Sequence, residues 1–194
     1  MKKHLFLCGP TGCGKTTLIR TVLGSKAAEA GGFVTERILS SDGKLIGFDM
    51  FPAAHMAGIE GFEGKRFLDY TSAPPTKDNE VFREDGVRLL KESEYYSFSV
   101  LDEFGGFELV IPQFREALLD ALSSSQPCIG VIKSIPNARE LQQRFGIGER
   151  YIEIARSLRA ALDKDEDTAV IDMNGFDDPF AVYAVKQWAD EYAK

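Results

Sequence analysis

Apolar positions fall into two patterns, short unbroken runs and stripes at helical spacing, and the two alternate along the chain. His4-Leu5-Phe6-Leu7-Cys8 followed by Gly9-Pro10 predicts a buried strand over residues 3–8. Leu18, Ile19, Val22 and Leu23 predict a helix from Lys15 to about residue 28, after which Gly31-Gly32 is expected to break the chain. The runs Gly32–Leu39 and Leu45–Phe51 flank Ser40-Ser41-Asp42-Gly43-Lys44, whose Asp-Gly predicts a β-hairpin turn. Residues 57–66 are rich in glycine and charge without either period. They read as a mobile loop, with a short strand near Arg66-Phe67-Leu68, and residues 71–77 read as a connector.

Phe82, Gly86, Leu89 and Leu90 stripe a helix over Asn79–Ser93, and the run from Tyr95 to Leu101 predicts a strand leading straight into Asp102-Glu103. Pro112 suits the first turn of a helix with Phe114, Leu118, Ala121 and Leu122 on its buried side. Cys128–Lys133 is a further buried strand, expected beside the first. Asn137 is the expected cap of a short helix ending at Gly146, and Arg150–Ile154 reads as another strand. Residues 163–167 read as a solvated acidic loop, Ala169–Met173 as an edge strand, and Asp178-Pro179 as the start of a last helix striped by Ala181, Val185, Trp188 and Tyr192. Trp188 and the other aromatics are expected in the core. Strands alternating with helices imply parallel crossovers. The expected fold is therefore α/β, with three layers, a mostly parallel central sheet and an added antiparallel β-hairpin. Its site should lie at the carboxyl ends of the strands. At 194 residues the chain suits a single domain, residues 1–194, with the hairpin insertion at 32–70 and a C-terminal extension at 156–194.

Composition adds a few exclusions. An apolar fraction of 44% with 14 Phe fills a core and argues against disorder. A net charge of −7 argues against a nucleic-acid groove, although binding phosphates needs only a local basic patch. Cys8, Cys13 and Cys128 share no metal-ligand spacing and read as reduced thiols. No run approaches the ~20 apolar residues that span a bilayer, and the opening run is too short for a signal peptide. The expectation is a soluble cytoplasmic protein with no membrane partner.

The sharpest signal is Gly9-Pro10-Thr11-Gly12-Cys13-Gly14-Lys15-Thr16, placed between a predicted strand and a predicted helix. Glycines let a loop wrap phosphate oxygens with its amide N–H groups, and the following helix offers the positive end of its dipole. Lys15 is expected to reach the β- and γ-phosphates, and the Thr16 hydroxyl to ligate Mg²⁺. Gly9, Pro10, Thr11, Gly12, Cys13, Gly14, Lys15, Thr16 and Thr17 are thus the expected phosphate-binding residues. Cys13, at a variable position of the motif, reads as a small filler or as an oxidation-sensitive thiol.

The second signal is Leu101-Asp102-Glu103 at a strand end. Asp102 is expected to hold Mg²⁺, and Glu103, facing the other way, to activate a water. Ser134, after the neighbouring strand, reads either as a γ-phosphate sensor or as a turn residue. Arg139, Arg144 and Arg150 are candidates for a charge-stabilising finger or members of a solvated face. Thr35-Glu36 is expected near the site, with Glu36 in a structural role.

These pieces together resemble the cancer-related nucleoside-triphosphatase family, small P-loop enzymes similar in size to nucleotide kinases. The resemblance rests on Gly9 to Thr17, on Gly31-Gly32-Phe33-Val34-Thr35-Glu36 with the later Gly47-Phe48, on Leu101 to Leu109, and on Lys133-Ser134-Ile135-Pro136. It covers residues 1 to about 155 and leaves the tail unassigned. The family usually has Lys after the Gly of its Asp-Glu-x-Gly string, where this chain has Gly106. The resemblance implies an Mg²⁺-dependent hydrolase of nucleoside triphosphates such as ATP or GTP. A nucleotide or small-molecule kinase and a slowly hydrolysing nucleotide-gated switch or adaptor are the rival readings.

Lys15→Ala should leave the fold intact and greatly weaken triphosphate binding, measured by titration with a fluorescent nucleotide analogue. Near-parental affinity would remove the phosphate-loop assignment.

Overall fold

The computed structural model describes residues 1–194. The first strand, β1 (His4–Cys8), is buried along its whole length and leads through the glycine-rich loop into α1 (Lys15–Leu23). That helix is shorter than its apolar stripe predicts. Gly24, with φ of 52°, ends it, and a tight 3-10 segment, Gly24–Glu29, carries the chain to β2 (Ala30–Leu39).

Gly31-Gly32 does not break the chain but lies inside β2, paired in parallel with β6 (Phe98–Phe104). The reason is close approach. A Cβ on Gly31 would come within 2.6 Å of the Ser93 Cα, and one on Gly32, whose φ is +87°, would collide with the Val100 carbonyl. The predicted hairpin forms between β2 and β3 (Leu45–Pro52) and continues antiparallel through β4 (Lys65–Asp69) and the short β5 (Thr76–Lys77). The helical stretch after it contains a wide turn at Phe82–Gly86 before α2 (Val87–Glu92), with Phe82, Gly86, Leu89 and Leu90 buried as their spacing implied.

Beyond β6 come α3 (Pro112–Ser123), β7 (Cys128–Ile132), α4 (Ile135–Phe145), α5 (Arg150–Lys164), β8 (Thr168–Asp172) and α6 (Pro179–Tyr192). Arg150–Ile154 is thus the first turn of a helix and not a strand. Tyr151, Ile152, Ala155, Leu158 and Leu162 are buried along one helical stripe that a five-residue window misses. The cap of α4 is Ser134, whose Oγ accepts the Asn137 N–H, so Asn137 lies within the helix and does not cap it.

One eight-stranded sheet results, in the order β5-β4-β3-β2-β6-β7-β1-β8. Strands β2, β6, β7, β1 and β8 run parallel, and the β3–β5 side is antiparallel. Helices α1 and α6 cover one face around Leu18, Ile19, Val185 and Trp188. The opposite face carries α2 to α5 around Phe82, Phe104, Phe107 and Phe114. The segment from residue 156 onward is built into this body: β8 pairs with β1 along its length, and the Trp188 indole N–H donates to the Lys3 carbonyl at 2.9 Å. No helix is long and apolar enough to cross a membrane.

His4, in β1, is 1% exposed, and burial pushes its pKa down to about 4. The Lys3 charge adds to this, and Asp165 and Asp167 oppose it. An unfolded histidine takes up its proton near 6.5. Between these values His4 binds a proton in the unfolded chain and not in the folded one, so its contribution to stability falls as pH falls through that window, by up to about 1.4 kcal/mol per pH unit. Asp102, which burial pushes up to about 7, contributes the opposite slope over the same range, so the test is a difference: in urea titrations from pH 7 to pH 4.5 the parent should lose stability relative to His4→Phe. Equal slopes for both proteins would place the acid sensitivity elsewhere.

Candidate active site

The parallel strands end on one side of the sheet, and their ends form a cleft of about 740 Å³. On one wall is the phosphate loop. Gly14, the residue before α1, has φ of +92°, a conformation that costs glycine little and turns the loop inward. The Lys15 side chain folds back over the loop, its Nζ donating to the Pro10 carbonyl at 2.7 Å and the Gly9 carbonyl at 3.1 Å. It is 5% exposed and has no acidic partner. Positive charge is therefore held where the loop amides converge, with Glu103 the acid that feels it. Cys13 packs inward, its thiol 3.7 Å from the Met173 carbonyl, in keeping with the filler reading.

Asp102 and Glu103 line the same cleft from the end of β6. Between β1 and β6 stands β7, so these acids are one strand removed from the loop. The β6–β7 register slips between Leu101 and Phe104, and Glu103 adopts φ of 55°, the only positive value outside glycine. A left-handed glutamate is strained and persists because its surroundings hold it. The kink sends the adjacent side chains to different partners. Asp102 Oδ1 accepts the Thr16 hydroxyl at 2.7 Å, while Oδ2 accepts the Thr35 N–H at 3.2 Å and its hydroxyl at 3.3 Å. Glu103 Oε2 accepts from Lys133 Nζ at 2.8 Å.

Electrostatics separates the two acids further. Burial, and then the Glu103 charge, push Asp102 up to about 7 against the pull of the Thr16 and Thr35 hydrogen bonds. The Lys133 ammonium holds Glu103 below the usual carboxylate range despite burial. Burial disfavours the Lys133 charge, but Glu103 and then Glu108 more than offset it, so the ammonium keeps its proton above the ordinary lysine range. Asp102 is thus a buried carboxylate facing a threonine hydroxyl with no cation of its own. These hard oxygen donors suit Mg²⁺, whose remaining ligands in such sites are phosphate oxygens and water.

Glu108 explains the second half of the acidic string. It is buried, and its Oε1 accepts the N–H groups of Gly105 and Gly106 at 2.8 and 2.6 Å, closing the turn that follows β6. The Tyr151 hydroxyl donates to the Gly105 carbonyl at 3.2 Å and braces the same turn.

Most of the residues expected from sequence meet here. Thr11, Gly12, Gly14, Lys15, Thr16, Thr17, Asp102 and Glu103 all line the cleft. Ser134 does not: its hydroxyl is committed to the cap of α4, and its neighbours Lys133 and Asn137 take the wall, with Asn137 Nδ2 donating to the Gly9 carbonyl at 3.3 Å. Of the three arginines, only Arg144 reaches the cleft, stacked over Tyr70. Arg139 is held by Glu149 and Gln142. Glu36 pairs with Arg20 and faces His55 Nε2 at 3.4 Å, which fits a structural role. Arg37 and Asn137 line the site without a local motif to announce them, and Lys133, which belongs to the Lys133-Ser134-Ile135-Pro136 string, has no role assigned from sequence; the strand order brings all three there.

A parallel sheet with a glycine-rich loop between first strand and first helix, and a helix threonine bonded to a strand-end acid, is the layout of a P-loop nucleotide-binding protein. The chain belongs to the NTPase family, whose profile matches residues 4–165. The human cancer-related nucleoside-triphosphatase is 30% identical over 155 residues, 73% of this chain and 80% of that protein. Nucleoside-triphosphatase THEP1 of Thermofilum pendens is 32% identical over 138 residues, 67% of this chain and 73% of that one. In fold, the chain matches the crystal structure of THEP1 from Aquifex aeolicus with a TM-score of 0.61 at 17% identity, over 94% of this chain and 96% of that one.

Proposed function

We propose that this protein is an Mg²⁺-dependent nucleoside triphosphate hydrolase, releasing phosphate from ATP, GTP or a related nucleotide. The observation that carries the reading is the divergence of two adjacent acids across a kinked strand, one towards Thr16 and one towards Lys133 at the cleft wall. The names of the relatives, nucleoside-triphosphatases throughout, point the same way.

In this reading the amides of Gly9 to Thr17 and the Lys15 ammonium bind the triphosphate. Lys15 gives up its bonds to the Gly9 and Pro10 carbonyls for phosphate oxygens. Thr16 and Asp102 hold Mg²⁺, which when bound neutralises phosphate charge and fixes the phosphoryl group for in-line attack. Glu103 orients a water and takes its proton. Its carboxyl is ionised at neutral pH because Lys133 stands beside it, and the strained backbone fixes its direction before substrate arrives. A base aimed at water suits a hydrolase, whereas a kinase must keep water out.

Asp102→Asn should raise the Mg²⁺ concentration needed for half-maximal phosphate release, because the neutral amide attracts the cation less. An unchanged Mg²⁺ requirement would make Asp102 structural.

Glu103→Gln keeps the size of the side chain and one hydrogen-bonding oxygen but cannot take a proton. Nucleotide affinity should survive, while single-turnover phosphate release should fall by about 10²–10⁴, the usual worth of a positioned general base. A fall of less than about threefold, far short of that contribution, would remove the base and bring the kinase and switch readings forward.

A further inference from the structure

Lys15 and Lys133 are the two lysines lining the cleft, and only the first belongs to the phosphate loop. Lys133 comes from the carboxyl end of β7, the strand between the loop-bearing β1 and the acid-bearing β6. Its position is built rather than incidental. Its N–H donates to the Phe104 carbonyl at 2.8 Å, which fixes its backbone next to the kink at Glu103. Its side chain is 17% exposed, and its Nζ lies 2.8 Å from Glu103 Oε2. The stem runs past Gly106: a Cβ added there would stand 3.3 Å from Lys133 Cε and 2.5 Å from Glu108 Oε2. Glycine at 106 thus makes room first for the Glu108 carboxylate and also lets the Lys133 stem lie close by. A stem packed to its Cε with its ammonium at the cleft wall is the form of a ligand-facing cation, since a lysine serving only solubility would extend into water.

We propose that Lys133 is a second phosphate-contacting ammonium, meeting the terminal phosphoryl group from the side opposite Lys15. The proposal rests on the triphosphatase reading above. In the ligand-free chain Glu103 is the counter-ion, which holds the ammonium in place. With a triphosphate bound, the ammonium is shared between Glu103 and the terminal phosphate oxygens, so one cation aligns the acid with the group to be attacked. A cation at that position gains most as charge shifts onto the transferring group, because its site is already shaped and partly dry.

The simpler role, neutralising Glu103 alone, makes a different prediction once Glu103 is itself neutral. Lys133→Met should therefore be made in the Glu103→Gln background, and binding of ADP and of a non-hydrolysable ATP analogue compared. The expected result is at least about tenfold weaker binding of the triphosphate analogue, the scale of a hydrogen bond to a charged group. ADP affinity should change by less than about twofold, which also reports that the loop is folded. Should the Met variant fail to bind ADP, Lys133→Gln replaces it in the same comparison. Equal affinities with and without Lys133, or equal losses for ADP and the triphosphate analogue, would overturn the proposal. Phosphate release by the parent protein, measured alongside, tests the triphosphatase reading separately: a parent that hydrolyses while the Lys133 effect is absent removes only Lys133.

Discussion

A carboxylate buried to 1% exposure is tolerated only where hydrogen bonds replace the water it has lost, and at Asp102 those bonds come from α1 and β2. Satisfying that one side chain ties the start of the phosphate-loop helix and the root of the hairpin to the acidic strand. Thr16 cannot move off Asp102 without leaving its oxygen unpartnered, and Thr35 holds the other oxygen. The raised pKa of Asp102 marks the remainder of the cost: hydroxyls and one amide offset burial only partly, and a cation would complete the balance. The strongest local constraint on the fold is thus also where a divalent ion fits.

The second constraint is the place of β7 between β1 and β6. It sets the width of the cleft, because the loop and the acids are held one strand apart. It also delivers Lys133 between them. The kink at Glu103 follows from the same arrangement. The β6–β7 ladder slips at Asp102-Glu103, and the Lys133 N–H bond to Phe104 restarts it. Two neighbouring acids that would alternate along a regular strand thereby acquire separate surroundings, one threonine-bonded and buried, one paired with an ammonium at the open side. Glu108 secures the turn beyond by receiving two amides, so a string that reads as a row of acids divides into three unlike roles.

The antiparallel strands and the tail extend this frame in opposite directions. Strands β3 to β5 lengthen the sheet beyond β2 and bring Phe48 and Tyr70 to the far wall of the cleft, while β8 and α6 close the edge next to β1. Pairing of β8 with all of β1 braces the strand that carries the phosphate loop.

The sequence by itself determined whatever local chemistry encodes: the phosphate loop, the acid pair, the hairpin turn, the proline-started helices, and the alternation that makes an α/β sheet. Each depends on residues within one or two turns of one another, so their spacing is the physical signal. It misled where a distant partner decided the outcome. Gly31-Gly32 reads as a break, yet lies in a strand because Ser93 and Val100 press against it. Arg150–Ile154 looks extended in isolation, but its apolar residues continue a stripe that pays off only against the sheet. Lys133 was visible as part of a motif string without a role, and Arg37 and Asn137 not as site residues at all; the three became cleft residues through tertiary structure, because strand order, which no local pattern carries, decides which strand ends share a cleft.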